Sequence, residues 1–418
     1  MSTKNRCKNF FLYSHNQSMT FSDNRTQKRR LLIAQLPPYY FPSIGGVERV
    51  VQYISEELVR RGHEVHVLTA NRNHKGYPPL ARPLREIVNG VQVERFSTWG
   101  SVGHLGFFPG IISPLVNRNY DIMHCHCYRH PQGEIATWFG GAKNIPVILH
   151  IHGGFFAQGM SRRLFYGIYD FLARVHAANR FDHYIALSAP SKEALMRVGA
   201  CEQKVSVIAN AAEQGAFLPV SPGTFRIKHG LAGKKIILFL GSLHFYKRPD
   251  LLISALPRII DKVPTAFLVL VGPDAGEYLK LENVARKLGV FDYFRWMGPL
   301  HGEEKHQALC DADLFVLTSD EEPYPLVLLE AMAHGKAIIA TDADGPRSML
   351  VHNDTGLIVR RGQVDEIAAS SIRLLNNPSL SSELGRKAKE KALKEHQVAH
   401  VVDQLEALYY QLIWDKKN

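Results

Sequence analysis

From residue 31 onward the chain alternates short, almost wholly apolar runs with longer stretches in which apolar residues recur every three or four positions. Leu31-Leu32-Ile33-Ala34, Val65-His66-Val67-Leu68-Thr69, Asp121-Ile122-Met123-His124, Val147 to His152 and Tyr184 to Ser188 have the length of strands. Apolar runs without alternation belong to strands covered on both faces, as in a parallel sheet flanked by helices. Between the first two runs, Val47, Val50, Val51, Ile54 and Leu58 share one helical face, and Gly62 ends the pattern. Val205 to Ala211 closes this first set, and the Pro- and Gly-rich stretch over 213–234 reads as a linker. A second set follows, with strands expected at 236–240, 266–271, 294–297, 314–317, 337–340 and 357–359. Helices are expected at 276–288, 303–310 and 364–375, then at 380–395 and 398–414. The pattern predicts an α/β protein of two doubly wound domains, 31–212 and 235–395, followed by a terminal helical segment, 396–418.

Composition adds a partner class. With 418 residues, 45% apolar and 21% charged, the chain has an ordinary globular balance, but its net charge is +11. That excess suggests an anionic partner: a nucleotide, a lipid head group, a phosphorylated acceptor or nucleic acid. No nucleic-acid motif accompanies it, so nucleic acid is not the expected partner. No apolar run reaches the roughly 18 residues that span a bilayer, so membrane contact is expected to be peripheral. Residues 161–181 carry the apolar stripe Leu164, Ile168, Phe171, Val175 and Ala178, flanked by Arg162, Arg163 and Arg174. The stripe reads as core, and its basic flanks suit an anionic surface. Residues 1–30 hold seven Lys or Arg against Asp23 and are expected to be a disordered tail, with Met19 as an alternative start. Five cysteines without framework spacing suggest reduced thiols and a cytoplasmic protein.

The candidate chemistry concentrates at 319–341, where a strand leads through an acidic, proline-containing loop into a helix and another strand. Two carboxylates stand out, Glu322 in the loop and Glu330 in the helix. Eight helical residues span about 12 Å, which suits two ends of one ligand better than a shared proton. Pro325 is expected as the first helical residue, and the free amides of Leu326 and Val327 make an anion site. Gly45-Gly46 sits at a strand-to-helix turn, where glycine permits close backbone approach. Lys247 follows the strand 236–240 and suits a phosphate, and His152 ends another strand at the edge where parallel sheets bind ligands. In His124-Cys125-His126-Cys127, alternate residues point to opposite faces of a strand, so no metal site is expected.

The stretch 319–341, with Gly45-Gly46-Val47-Glu48, Arg61-Gly62-His63-Glu64-Val65 and Gly241 to Arg248, resembles the retaining glycosyltransferases of family 4 (glycosyl transferases group 1), which have GT-B architecture. The resemblance implies two Rossmann-like domains facing across a cleft, with a final helix returning to the first. It implies that Glu322 meets hydroxyls of the donor sugar, Glu330 those of the ribose, and that His152 lies near the transferred sugar. Gly46, Lys247, Leu326 and Val327 would surround the donor phosphates. Pro323 and Pro325 replace the family's loop glycines, Ala211 replaces another, and Ser242 stands where an arginine is usual, with Arg248 as a substitute. The implied reaction moves a sugar from a UDP- or GDP-sugar to a hydroxyl of a lipid-linked, saccharide or small-molecule acceptor. The donor is a substrate, so no cofactor and no metal are expected. A sugar-nucleotide epimerase of the same fold and a binding protein without turnover are the alternatives.

Overall fold

The computed structural model describes residues 29–43, 45–72, 83–102, 105–153 and 180–418. The expected basic tail and the stripe at 161–181 lie almost wholly outside these residues. Sixteen strands are described: β1 (Leu32–Leu36), β2 (Glu64–Ala70), β3 (Arg85–Val88), β4 (Val91–Phe96), β5 (Gly100–Val102), β6 (Leu105–Phe107), β7 (Ile122–His126), β8 (Val147–His150), β9 (His183–Ala186), β10 (Val205–Val207), β11 (Lys235–Leu240), β12 (Ala266–Val271), β13 (Phe294–Trp296), β14 (Leu314–Leu317), β15 (Ala337–Thr341) and β16 (Leu357–Val359). The first sheet runs β10-β9-β8-β7-β1-β2-β4-β3 and the second β13-β12-β11-β14-β15-β16; β5 and β6 pair as a separate hairpin. All neighbours in the two large sheets are parallel except β3 against β4.

Period-two packing explains why the apolar runs are unbroken. Ile237 and Phe239 of β11 enter the core on one face, and Ile236, Leu238 and Leu240 enter the core on the other. Burying one such side chain contributes about 1.5–3 kcal/mol, so a strand apolar on both faces is stable only between two helical layers. Helix Gly46–Arg60 covers the first sheet, with Val50, Val51, Ile54 and Leu58 buried. Helix Val398–Lys417 leaves the second sheet and completes the same core through Val401, Val402, Leu405 and Tyr409. It is fixed there by His63, whose Nε2 lies 2.8 Å from Glu406, and by Arg61, 2.6 Å from Asp403.

Several expectations need correction. β8 stops at His150, so His152 lies two residues beyond the strand. β10 spans Val205–Val207 rather than running to Ala211. Pro325 is extended (ψ 120°) and caps helix Leu326–Ala333 instead of starting it. The supposed linker contains helix Thr224–Lys228, with Phe225 fully buried and Arg226 donating to Asp313 at 2.7 Å. The β3–β4 hairpin was not anticipated; it turns at Asn89-Gly90, both at positive φ as a tight two-residue turn requires. Helix Pro131–Lys143 was hidden by its glycines: a Cβ at Gly140 would sit 2.3 Å from Val147 Cγ2, so close packing on the sheet needs glycine there.

Candidate functional site

In the second sheet the strand order reverses between the parallel neighbours β11 and β14, since the strands added after β11 go to one side and those after β14 to the other. The loops leaving two such strands diverge and open a crevice at their C-terminal ends. Lys247 lies in the short turn Phe245–Lys247 after β11, and Glu322 in the loop after β14. Their side chains meet directly: the Lys247 ammonium donates to Glu322 Oε1. Ser319 Oγ lies 2.8 Å from the same oxygen. The two loops are also tied by backbone, with Asp320 N–H donating to Tyr246 O at 2.8 Å and Thr318 Oγ1 to Lys247 O at 2.9 Å. From the other side Gly345 N–H donates to Glu322 O at 2.8 Å. A Cβ at Gly345 would stand 2.5 Å from that carbonyl oxygen, so glycine allows the close approach.

Helix Leu326–Ala333 begins just beyond this pair. Its first amides have no partner in the preceding turn and present a positive helix end to the crevice. Leu326 and Val327 are half-buried there, and Leu326 packs against both the second core and the core of the first sheet. Glu330 lies one turn further on, buried. Its Oε1 is 3.0 Å from Lys305 Nζ and 3.9 Å from Arg49 Nη1, while Oε2 is buried with no partner among the described residues. Arg49 comes from the helix that follows Gly45-Gly46, so the first sheet's layer reaches the second here. Glu213 joins the group, 2.5 Å from Lys305 and 3.6 Å from Arg49. Burial opposes its charge, but His306 and Lys305 outweigh burial and bring its pKa down to about 2.

On the facing side, β1 and β7 mark the corresponding reversal of the first sheet. His152 Nε2 lies 3.0 Å from His126 Nδ1, and His126 Nε2 2.7 Å from Gln35 Oε1. With the Gln35 oxygen as acceptor, His126 donates through Nε2 and accepts through Nδ1. His152 then donates through Nε2, which leaves its Nδ1 as an acceptor. That atom is buried with no partner among the described residues. Burial holds His124 and His152 down to about 3 and His126 and His150 well below their usual range, all as neutral rings. His124, His126 and His150 have ring nitrogens close enough to suggest a metal. The rings are stacked, however, with 27° between His124 and His126 and 9° between His124 and His150. In-plane lone pairs of near-parallel rings run side by side, whereas tetrahedral ligation needs them to converge. Just past His152, a Cβ at Gly153 (φ +118°) would stand 2.7 Å from Pro323 Cγ, so this loop touches the Glu322 loop.

The structure thus brings Lys247 and Glu322 together just before the helix that carries Leu326, Val327 and Glu330, with Gly153, next to His152, against Pro323. Gly46 opens its helix in exposed position, and a Cβ there would meet nothing within 4 Å. Ser242 is half-buried in the β11 turn, its carbonyl accepting from His244 N–H at 2.8 Å. Arg248 is turned to Asp250 (3.0 Å) and Asp320 (3.4 Å). As arranged, two carboxylates hold the guanidinium suggested as a second phosphate clamp. Sequence reading missed Arg49, Glu213, Ser319 and Lys305. Only Arg49, three residues past the glycine pair, had a positional signal.

Two family models match the chain in tandem: Glycosyltransferase Family 4 over residues 44–213 and Glycosyl transferases group 1 over residues 223–391. The chain is 25% identical over 394 residues to N-acetyl-alpha-D-glucosaminyl L-malate synthase of Bacillus anthracis, covering 90% of this chain and 97% of that protein. It is 26% identical over 370 residues to a phosphatidyl-myo-inositol mannosyltransferase of Mycolicibacterium smegmatis, covering 86% and 88%. The structure of Anabaena Alr3699/HepE in complex with UDP and glucose superposes with a TM-score of 0.73 at 21% identity, covering 91% of this chain and 100% of that one.

Proposed function

The chain belongs to the group 1 (family 4) glycosyltransferases of GT-B fold, and from that premise we propose that it is a retaining enzyme transferring a hexosyl group from a UDP- or GDP-sugar to an acceptor hydroxyl. The observation that carries this reading is the Lys247–Glu322 pair where the strand order reverses, beside the N-terminal amides of helix Leu326–Ala333, with a buried Glu330 oxygen that has no partner among the described residues. In this reading the donor diphosphate sits at the helix N-terminus and against Lys247. Negative charge grows on that diphosphate as the glycosidic bond breaks, so a fixed cation and fixed amides stabilise the transition state more than the ground state. Glu322 orients the sugar hydroxyls and Glu330 Oε2 accepts from the ribose. Gly46 leaves room for a phosphate near the first lobe, and His152 Nδ1 accepts from a hydroxyl of the transferred sugar. The departing phosphate takes the acceptor's proton on the same face, so configuration is retained without a protein nucleophile. Nothing in this scheme asks for a metal or a resident cofactor.

The acceptor is a lipid-linked, saccharide or small-molecule hydroxyl. A cytoplasmic enzyme working at the face of a membrane is consistent with a net charge of +11, and no described helix is long and apolar enough to cross a membrane. A thermal-shift screen of UDP- and GDP-sugars identifies the donor, since a ligand of the native state raises the melting temperature. Product NMR with a trial acceptor should then show the donor's anomeric configuration preserved. Inversion sinks the retaining mechanism, conversion of the donor without acceptor favours an epimerase, and tight binding without turnover favours a binding protein.

A further inference from the structure

We propose that Lys305, which lies outside every motif that marks this site, is a positioning residue: it occupies one oxygen of Glu330 so that the other is the one offered to the nucleotide ribose. The proposal rests on the reading of Glu330 as the ribose ligand. Lys305 stands on the buried face of helix Gly302–Asp311, beside His306, Ala308 and Leu309. Packing alone would put an apolar residue there, since lysine is almost never fully buried unless its charge is paired. Its side chain is only 4% exposed, and its ammonium bridges Glu330 Oε1 at 3.0 Å and Glu213 Oε2 at 2.5 Å.

A carboxylate on a flexible stem has two equivalent oxygens and no intrinsic reason to aim one of them. Here both nearby cations select the same oxygen: Lys305 is 3.0 Å and Arg49 3.9 Å from Oε1. Oε2 is buried with no partner among the described residues. A buried acceptor left open in this way is costly unless a ligand's donor completes it, and a ribose hydroxyl is such a donor. Glu213 keeps the arrangement balanced. Two cations, Arg49 and Lys305, face two carboxylates, Glu213 and Glu330, so neither lysine nor ribose carboxylate is left as an isolated buried charge. Lys305 never needs to touch the nucleotide; its effect reaches the ligand through the rotamer of Glu330.

The test compares affinities of UDP and GDP with those of their 2′-deoxy and 3′-deoxy forms by calorimetry, in the full-length chain and in Lys305→Met and Lys305→Arg. The original chain should bind one of the deoxy forms about tenfold or more weakly, the loss expected for a hydrogen bond to a charged group. In Lys305→Met that ratio should fall towards one, and Lys305→Arg should restore it. A methionine variant that binds with the original ratio intact, merely weaker for every nucleotide, overturns the proposal and leaves Lys305 a structural residue. If the original chain itself ignores both deoxy substitutions, the ribose reading of Glu330 fails first. Should Lys305→Met not fold, Lys305→Gln is read in the same way: one neutral amide does not serve both carboxylates, and an unchanged ratio again overturns the proposal.

Discussion

At the scale of single residues, charge placement decides what each acid does. Glu322 and Glu330 lie eight positions apart on one loop and helix, yet Glu322 faces Lys247 and Glu330 faces Lys305 and Arg49. Removing Lys247 and removing Glu330 should therefore have different kinetic signatures. In the proposed reading Lys247→Ala takes away charge where it develops, so kcat should fall by roughly 10²–10³-fold. Part of that loss comes from leaving buried Glu322 without its cation, so Lys247→Arg should recover some of it. Glu330→Ala, if Glu330 holds the ribose as proposed, removes an interaction made equally in ground and transition states, so donor KM should rise about tenfold while kcat holds. Steady-state kinetics with the cognate donor checks both, and reversed signatures would exchange the two roles. Both acids and Lys247 were legible in the sequence, because their types and spacing are local. Ser242 and Arg248 were legible only as positions, and a local contact with Asp250 and a tertiary one with Asp320 determine where the arginine points.

At the scale of elements, the site is a set of loops braced by one another. The Glu322 loop is held by the β11 turn through Asp320 and by the first turn of helix Asp344–Met349 through Gly345. Gly345 has no positive φ, so its need for glycine is purely one of space: a Cβ would stand 2.5 Å from Glu322 O and 2.9 Å from Pro323 O. Gly345→Ala should push the Glu322 loop away and lower kcat/KM by about tenfold or more, since misplacement by a fraction of an ångström is enough. The melting temperature should move little, because the core is untouched. Unaltered kcat/KM in a folded Gly345→Ala protein would show that the loop yields without consequence. Strands and helices with clean periodicity were legible in the sequence. The helix over Pro131–Lys143 was not, because the glycines that allow it to lie close on the sheet also erase its helical signature.

At the scale of the whole molecule, the terminal helix Val398–Lys417 joins the first sheet's core to the far end of the chain. Tyr409 of that helix lies 2.5 Å from His124 Nδ1, at the edge of a group of stacked and tilted rings, His124, His126, His150 and His152. Burial depresses the folded-state pKa of all four, to about 3 for His124 and His152 and well below the usual histidine range for His126 and His150. The unfolded chain takes up these protons near pH 6.5, so stability is full above that value and is lost as pH falls below it. Each histidine costs about 1.4 kcal/mol per pH unit in that window. Thermal melts should therefore show a steep loss of melting temperature between pH 7 and pH 5, and a flat profile would mean that the stack is open to water. By itself, the sequence determined the two α/β sets, the acid-flanked helix and the lysine turn, because each is written in neighbouring residues through strand and helix periods. Only the tertiary structure decided that Arg49, Glu213, Lys305 and Glu330 form one cluster and that four histidine rings pack against one another. Such charges and rings carry no period along the chain, and what unites them is the packing of distant elements against a common crevice.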